Sequence, residues 1–154
     1  WDWRLLASII YNESKFAIFA RSSRGAYGLM QVIPQIASHY GVYDLTDPES
    51  NIKAGTMILQ KLQREWEKRN LEGDELLKFI LASYNAGKGR IIDCRNLAQS
   101  KGYDSSKWEE ITKVIPLMRE DSILILPARR SLYVCTEKVI LQFFCLAAFR
   151  AHKL

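Results

Sequence analysis

Glu13 is the residue in this chain whose position calls for a chemical explanation. Leu6, Ile9 and Ile10 precede it at helical spacing, so positions 6, 9, 10 and 13 share one helix face. A carboxylate ending an apolar stripe finds a partner, turns to water, or is desolvated and holds its proton near neutrality. The third state is that of a general acid. Two further stretches carry groups of interest. Gly25-Ala26-Tyr27-Gly28-Leu29-Met30-Gln31 is a loop with two glycines and a polar side chain, close behind the glutamate. Ala82-Ser83-Tyr84-Asn85-Ala86-Gly87 ends a helix with an aromatic ring and an amide at adjacent positions. Read singly, each has a plain explanation: helix-end glutamates are commonly solvated, loop glycines serve the backbone, and Asn-Ala-Gly is a common helix stop.

The elements that must position these residues read as helix after helix. The first runs from about Trp3 to Glu13, and Pro34 opens a second, stopped by Gly41. Asp47-Pro48 is a cap with a proline at the first helical position. The long helix behind it has the stripe Ile52, Gly55, Leu59, Leu62 and Trp66, and Asn70 and Gly73 break it. Asp74 starts a helix through Leu77, Ile80, Leu81 and Tyr84, which Gly87 and Gly89 end before another at Ile91 to Gln99. Ser105 or Ser106 caps a helix carrying Trp108, Ile111 and Val114, closed by Pro116. Ile123-Leu124-Ile125-Leu126 reads as a short strand or extended arm, and Ser131 to about Phe149 as a final apolar helix. The fold class is mainly α, in one domain.

Length and charge narrow the function. The chain has 154 residues, enough for one domain with a real core. Its net charge is +5, unevenly spread: from Ala128 on there are five basic residues and one acid, so residues 1–127 carry only +1. That is no nucleic-acid stripe, and no run approaches the ~20 apolar residues of a membrane span. The basic tail suits approach to an anionic surface. Cys94, Cys135 and Cys145 lack metal spacing, and an odd count leaves at least one thiol free or intermolecular. His39 and His152 are isolated. The chain calls for no metal and no cofactor. It opens inside a helical pattern at Trp1-Asp2-Trp3 without an initiator methionine, so it is expected to be a piece of a longer precursor.

Glu13-Ser14, Gly28-Leu29-Met30-Gln31 and Tyr84-Asn85-Ala86-Gly87, in this order and at these intervals, resemble the lytic transglycosylases that cleave bacterial peptidoglycan. The likeness covers about residues 1–120. It is closest to the membrane-bound type F group, through Trp1-Asp2-Trp3-Arg4-Leu5-Leu6-Ala7, Asp93 to Gln99 and Trp108 to Pro116. The resemblance implies a lysozyme-like helical domain with a glycan-binding groove, and peptidoglycan strands as partner. It also implies an upstream solute-binding-like regulatory domain in the precursor, and a periplasmic site attached to the outer membrane. It makes Glu13 the sole catalytic residue. Ser14, Ser22, Tyr27, Met30, Gln31, Tyr84 and Asn85 become substrate-binding residues, and Tyr133 the tyrosine that approaches the glutamate. Two departures stand out: Ala17-Ile18 replace the Asn-Pro often found in the family, and residues 121–154 fit its pattern poorly.

The implied chemistry uses one carboxylate. Most glycosidases set two about 5 to 9.5 Å apart. Here Asp44, Asp47, Glu49 and Asp93 are the candidates for a second, and none sits in a motif beside Glu13. In the family's mechanism the glutamate protonates the bridging oxygen between N-acetylmuramic acid and N-acetylglucosamine. It then takes the proton of the muramic C6 hydroxyl, which attacks C1 and leaves a 1,6-anhydro sugar. An internal hydroxyl has an effective molarity of ~10⁵ M or more, far above that of water. The alternatives are a goose-type lysozyme, which hydrolyses the same bond with a water, and a glycan-binding module without activity.

Overall fold

The structure, a computed structural model, describes residues 1–120. Tyr133, Cys135, Cys145, and the arm and final helix expected at 123–126 and 131–149 lie outside the described residues. Seven helices are described: α1 Trp3–Ser14, α2 Pro34–Ser38, α3 Pro48–Glu67, α4 Gly73–Ala86, α5 Lys88–Ser100, α6 Trp108–Val114 and α7 Leu117–Glu120. The chain divides into two compact units, Trp1–Gln60 and Lys61–Leu154.

In the first unit, Asp2 caps α1: its Oδ1 accepts from the Arg4 N–H at 2.8 Å, which satisfies an otherwise orphaned donor. Ile9 and Ile10 turn inward, so the stripe behind Glu13 is built as its spacing predicts, while Leu6 is only half-buried. Pro34 opens α2 at the first turn. That helix is shorter than expected, and the chain leaves it through turns to Gly41 at φ +71°. Asp47 caps α3 as predicted, its Oδ2 accepting from the Ser50 N–H at 2.8 Å. Leu29, Met30, Val32, Ala37, Val42, Leu45, Ala54 and Leu59 complete this unit's core.

The second unit is organised by aromatic rings. Trp66, from the end of α3, lies 5.2 Å from Phe79 of α4, and Phe79 lies 5.3 Å edge-on from Trp108 of α6. Such pairs add about 0.5–1.5 kcal/mol each beyond the area they bury. The buried Trp66 Nε1–H donates to Ser83 Oγ at 2.9 Å, so the indole leaves no polar atom wanting. Helix α4 packs on α5 and α6, and α5 on α6. Asn70 (φ +58°) and Gly73 (φ +55°) make the expected break before α4.

Two local expectations are corrected here. Gly89 does not end α4; it lies inside α5, and Gly87 at φ +90° makes the break alone. Neither Ser105 nor Ser106 caps α6. The N-cap position is Lys107, without a side-chain cap, and the orphaned Trp108 N–H donates instead to Glu75 Oε2 of α4 at 2.5 Å. Ser106 is engaged by Asp104, whose Oδ1 accepts from its N–H and its hydroxyl.

Candidate active site

Glu13 is the penultimate residue of α1, half-buried at the end of the Ile9–Ile10 stripe. The helix is stopped abruptly behind it. Lys15 and Phe16 both take the left-handed conformation, at φ +54° and +63°, and Lys15 N–H returns to the Tyr11 carbonyl at 3.0 Å. Neither residue is glycine or asparagine, so each costs on the order of 1 kcal/mol or more, set against the Lys15 bond to Tyr11 and the Ala17 N–H bond to the Ser14 carbonyl. Ser14 is buried and its hydroxyl donates to the Ile10 carbonyl at 3.1 Å, which places it as a support of the last turn.

The following loop is tied into a compact knot. Bridges join Arg21 to Tyr27 and Tyr27 to Val32, and Gly28 N–H donates to the Ala20 carbonyl at 2.9 Å. Ser22 organises the first half: its Oγ accepts from Ala26 N–H at 3.0 Å and Arg24 N–H at 3.3 Å. Gln31 organises the second half. It sits at φ +49°, and its Nε2 donates to the carbonyls of Ala20 and Gly28 at 3.1 and 3.0 Å, so the amide nitrogen is committed to the loop. The Arg21 guanidinium stacks on the Tyr27 ring, 4.9 Å from its centroid.

Beneath the knot lies a residue that sequence reasoning passed over. Asn51 is 1% exposed and uses every polar position it has. Its Oδ1 accepts from Met30 N–H at 2.9 Å, and its Nδ2 donates to the carbonyls of Tyr27 and Leu45 at 2.9 and 3.2 Å. Gly28 is required above it, because a Cβ there would stand 2.1 Å from Asn51 Nδ2 and φ is +78°. Met30, expected to line a groove, is 0% exposed: its thioether packs on Gly55, where a Cβ would come within 2.4 Å of the sulfur. Its observed part is to support the loop from below. The signal for Asn51 was present, since a polar residue four before Gly55 on an apolar helix stripe is the pattern that singled out Glu13.

Asp44 and Asp47 of this unit are held in local roles. Asp44 accepts from the Thr46 hydroxyl at 2.6 Å and its N–H at 2.8 Å, and these bonds hold its carboxyl below the usual range. Asp47 is likewise lowered by the Ser50 N–H that it caps. Glu49 is exposed in the first turn of α3. In the second unit Asp93 is exposed on α5. Tyr84 and Asn85 sit in the last turn of α4, half-buried, and Asn85 Oδ1 is fully buried with no hydrogen-bond partner among the described residues. Tyr133 lies outside them. No group of three or more histidines, cysteines, aspartates or glutamates among the described residues could hold a metal ion. No described helix is long and apolar enough to cross a membrane.

This arrangement can be set beside known proteins. Residues 1–107 match the family model described as the Transglycosylase SLT domain. The chain is similar to the membrane-bound lytic murein transglycosylase F of Desulfosudis oleivorans, at 41% identity over 118 residues, which are 77% of this chain and 26% of that protein. It is 39% identical over 119 residues to the protein of that name from Haemophilus influenzae, and 36% identical over 119 residues to that from Yersinia enterocolitica. Each of those alignments covers 77% of this chain and 24% of the relative. The chain thus spans about a quarter of the length of the curated relatives it matches. With one model covering its helices from α1 to the turn before α6, the chain belongs to the transglycosylase SLT domain family, and its helical body is the lysozyme-like domain of that family.

Proposed function

We propose that the chain cleaves the β-1,4 bond between N-acetylmuramic acid and N-acetylglucosamine in peptidoglycan without consuming water, using Glu13 as both acid and base. The observation that carries this reading is the position of Glu13, half-buried at the end of the Ile9–Ile10 stripe on α1, while Asp44 and Asp47 are engaged in a turn and a cap and Asp2 caps α1. Glu13 gives its proton to the bridging oxygen, and the bond to muramic C1 breaks with oxocarbenium character at C1. The ionised carboxylate then accepts the C6 hydroxyl proton as that oxygen bonds to C1. The glutamate ends protonated as it began, and the products are a 1,6-anhydromuramic end and a free 4-hydroxyl.

The supporting residues follow from their chemistry. Asn85 Oδ1, a buried acceptor lacking a donor among the described residues, suits an acetamido N–H, because leaving it unmet costs about 1–3 kcal/mol. The Ser22 hydroxyl and the Gln31 carboxamide oxygen offer neutral hydrogen bonds, while Tyr27 and Tyr84 offer rings to sugar faces. Ser14 and Met30 act from beneath, and Tyr133 is the proposed tyrosine approaching Glu13. The place of action is the cell envelope, where the polymer lies, and a regulatory domain upstream in a longer chain is part of the proposal.

Digestion of purified peptidoglycan followed by mass spectrometry tests the reaction type. Anhydro-muropeptides are the expected products. Products heavier by one water would make the protein a lysozyme, and no products would favour a glycan-binding module.

A further inference from the structure

Directly after α1 the chain makes two tight turns in succession. Ala17 N–H donates to the Ser14 carbonyl at 2.9 Å, and Ala20 N–H to the Ala17 carbonyl at 3.1 Å. Turn centres are ordinarily Gly, Pro, Asn, Asp or Ser, which suit the backbone and welcome water. Here the centres are Lys15-Phe16 and Ile18-Phe19. Phe16 is 54% exposed, Ile18 39% and Phe19 72%. Tyr11, also exposed, extends the apolar surface, its ring 6.1 Å from that of Phe16. The charge that this stretch of chain itself carries has one sign. Lys15, Arg21 and Arg24 are exposed, and no acid occurs between Glu13 and Asp44. Lys15 and Arg21 stack on the rings of Tyr11 and Tyr27, 4.0 and 4.9 Å from their centroids.

A loop that merely faces water does not hold three large apolar side chains at fixed turn apices. A sugar-stacking loop presents flat rings with a polar edge, not an isoleucine and phenylalanine at its tip. The combination suits a bilayer interface, where apolar side chains reach the boundary between headgroups and acyl chains and cations meet anionic headgroups. We infer that residues 15–24 are a docking surface for an anionic phospholipid bilayer. Phe16, Ile18 and Phe19 enter the headgroup region, and Lys15 and Arg21 face the phosphates. Its apolar tip, Ile18 and Phe19, has no part in the proposed chemistry, although the same loop carries Ser22.

The test is co-sedimentation of the 154-residue chain with phosphatidylcholine vesicles, with and without phosphatidylglycerol, beside Ile18→Ser/Phe19→Ser and Phe19→Ser. Serine is favoured at turn centres, so these variants should keep their circular dichroism and melting curve. Binding to the anionic vesicles is expected, weakening with salt, absent from neutral vesicles, and reduced at least about tenfold in the double variant. Both proteins should digest soluble glycan strands alike, so failure here is distinguishable from failure of the proposed reaction. No vesicle binding overturns the inference. So does equal binding by the double variant, which would assign the contact to the basic tail. A double variant that instead loses binding to purified peptidoglycan would make the loop a substrate contact.

Discussion

Gly28 and Asn51 form one lock, and it determines where the loop behind Glu13 can stand. A methyl group on Gly28 would press into the Asn51 amide at a backbone angle that disfavours it, and removing the amide would take a partner from Met30 N–H and from the carbonyls of Tyr27 and Leu45. Gly28→Ala and Asn51→Ala should each destabilise the fold by about 1–3 kcal/mol in urea unfolding. Because both break the same lock, the double variant should lose clearly less than the sum, and strict additivity would contradict the arrangement. At this scale much of the site was legible. Glu13 stood out because a carboxylate closing an apolar stripe is chemically odd, and Gly28 because paired loop glycines serve a backbone need. Asn51 carried a comparable signal, hidden by a stripe counted from Ile52. The left-handed Lys15 and Phe16 gave none, since neither residue type favours that conformation, which goes with the helix-stop and turn hydrogen bonds to Tyr11 and Ser14.

At the scale of elements, the start of α6 shows where local sequence runs out. Ser105 and Ser106 are good capping residues in the right place, yet the Trp108 N–H is met by Glu75, far back in the chain on α4. A charge-assisted bond from a neighbouring helix competes well with a local hydroxyl, and nothing near residue 106 announces it. Glu75→Gln should therefore cost about 1–2 kcal/mol in chemical denaturation, and Ser106→Ala much less. Equal costs would return the cap to the serine. By contrast, α1, α3 and the Gly87 break were readable. Their signals are wholly local: an apolar period, Asp47-Pro48, and a glycine where φ must be positive. Gly89 misled because a glycine inside a helix looks the same in sequence as one ending it.

For the molecule as a whole, burial sets one pH limit. Burial, with Asp93 beside it, pushes the Cys94 thiol up to about 11 from an ordinary 9.0. The folded value is above the unfolded one, so the stability linked to the neutral thiol is fully present below about pH 9 and lost as pH rises toward 11. The stability difference between wild type and Cys94→Ala should narrow over that interval, and a constant difference would contradict it. Family membership rests on the whole ordered pattern of motifs, which no single element carries. The claim that one glutamate serves as acid and base is tested most directly by digesting peptidoglycan with wild type and Glu13→Gln side by side and weighing the products. Wild type should release anhydro-muropeptides. Glu13→Gln should fold, co-sediment with the polymer, and release them at least about 10²–10⁴-fold more slowly. Retained turnover by Glu13→Gln would remove Glu13 from its role.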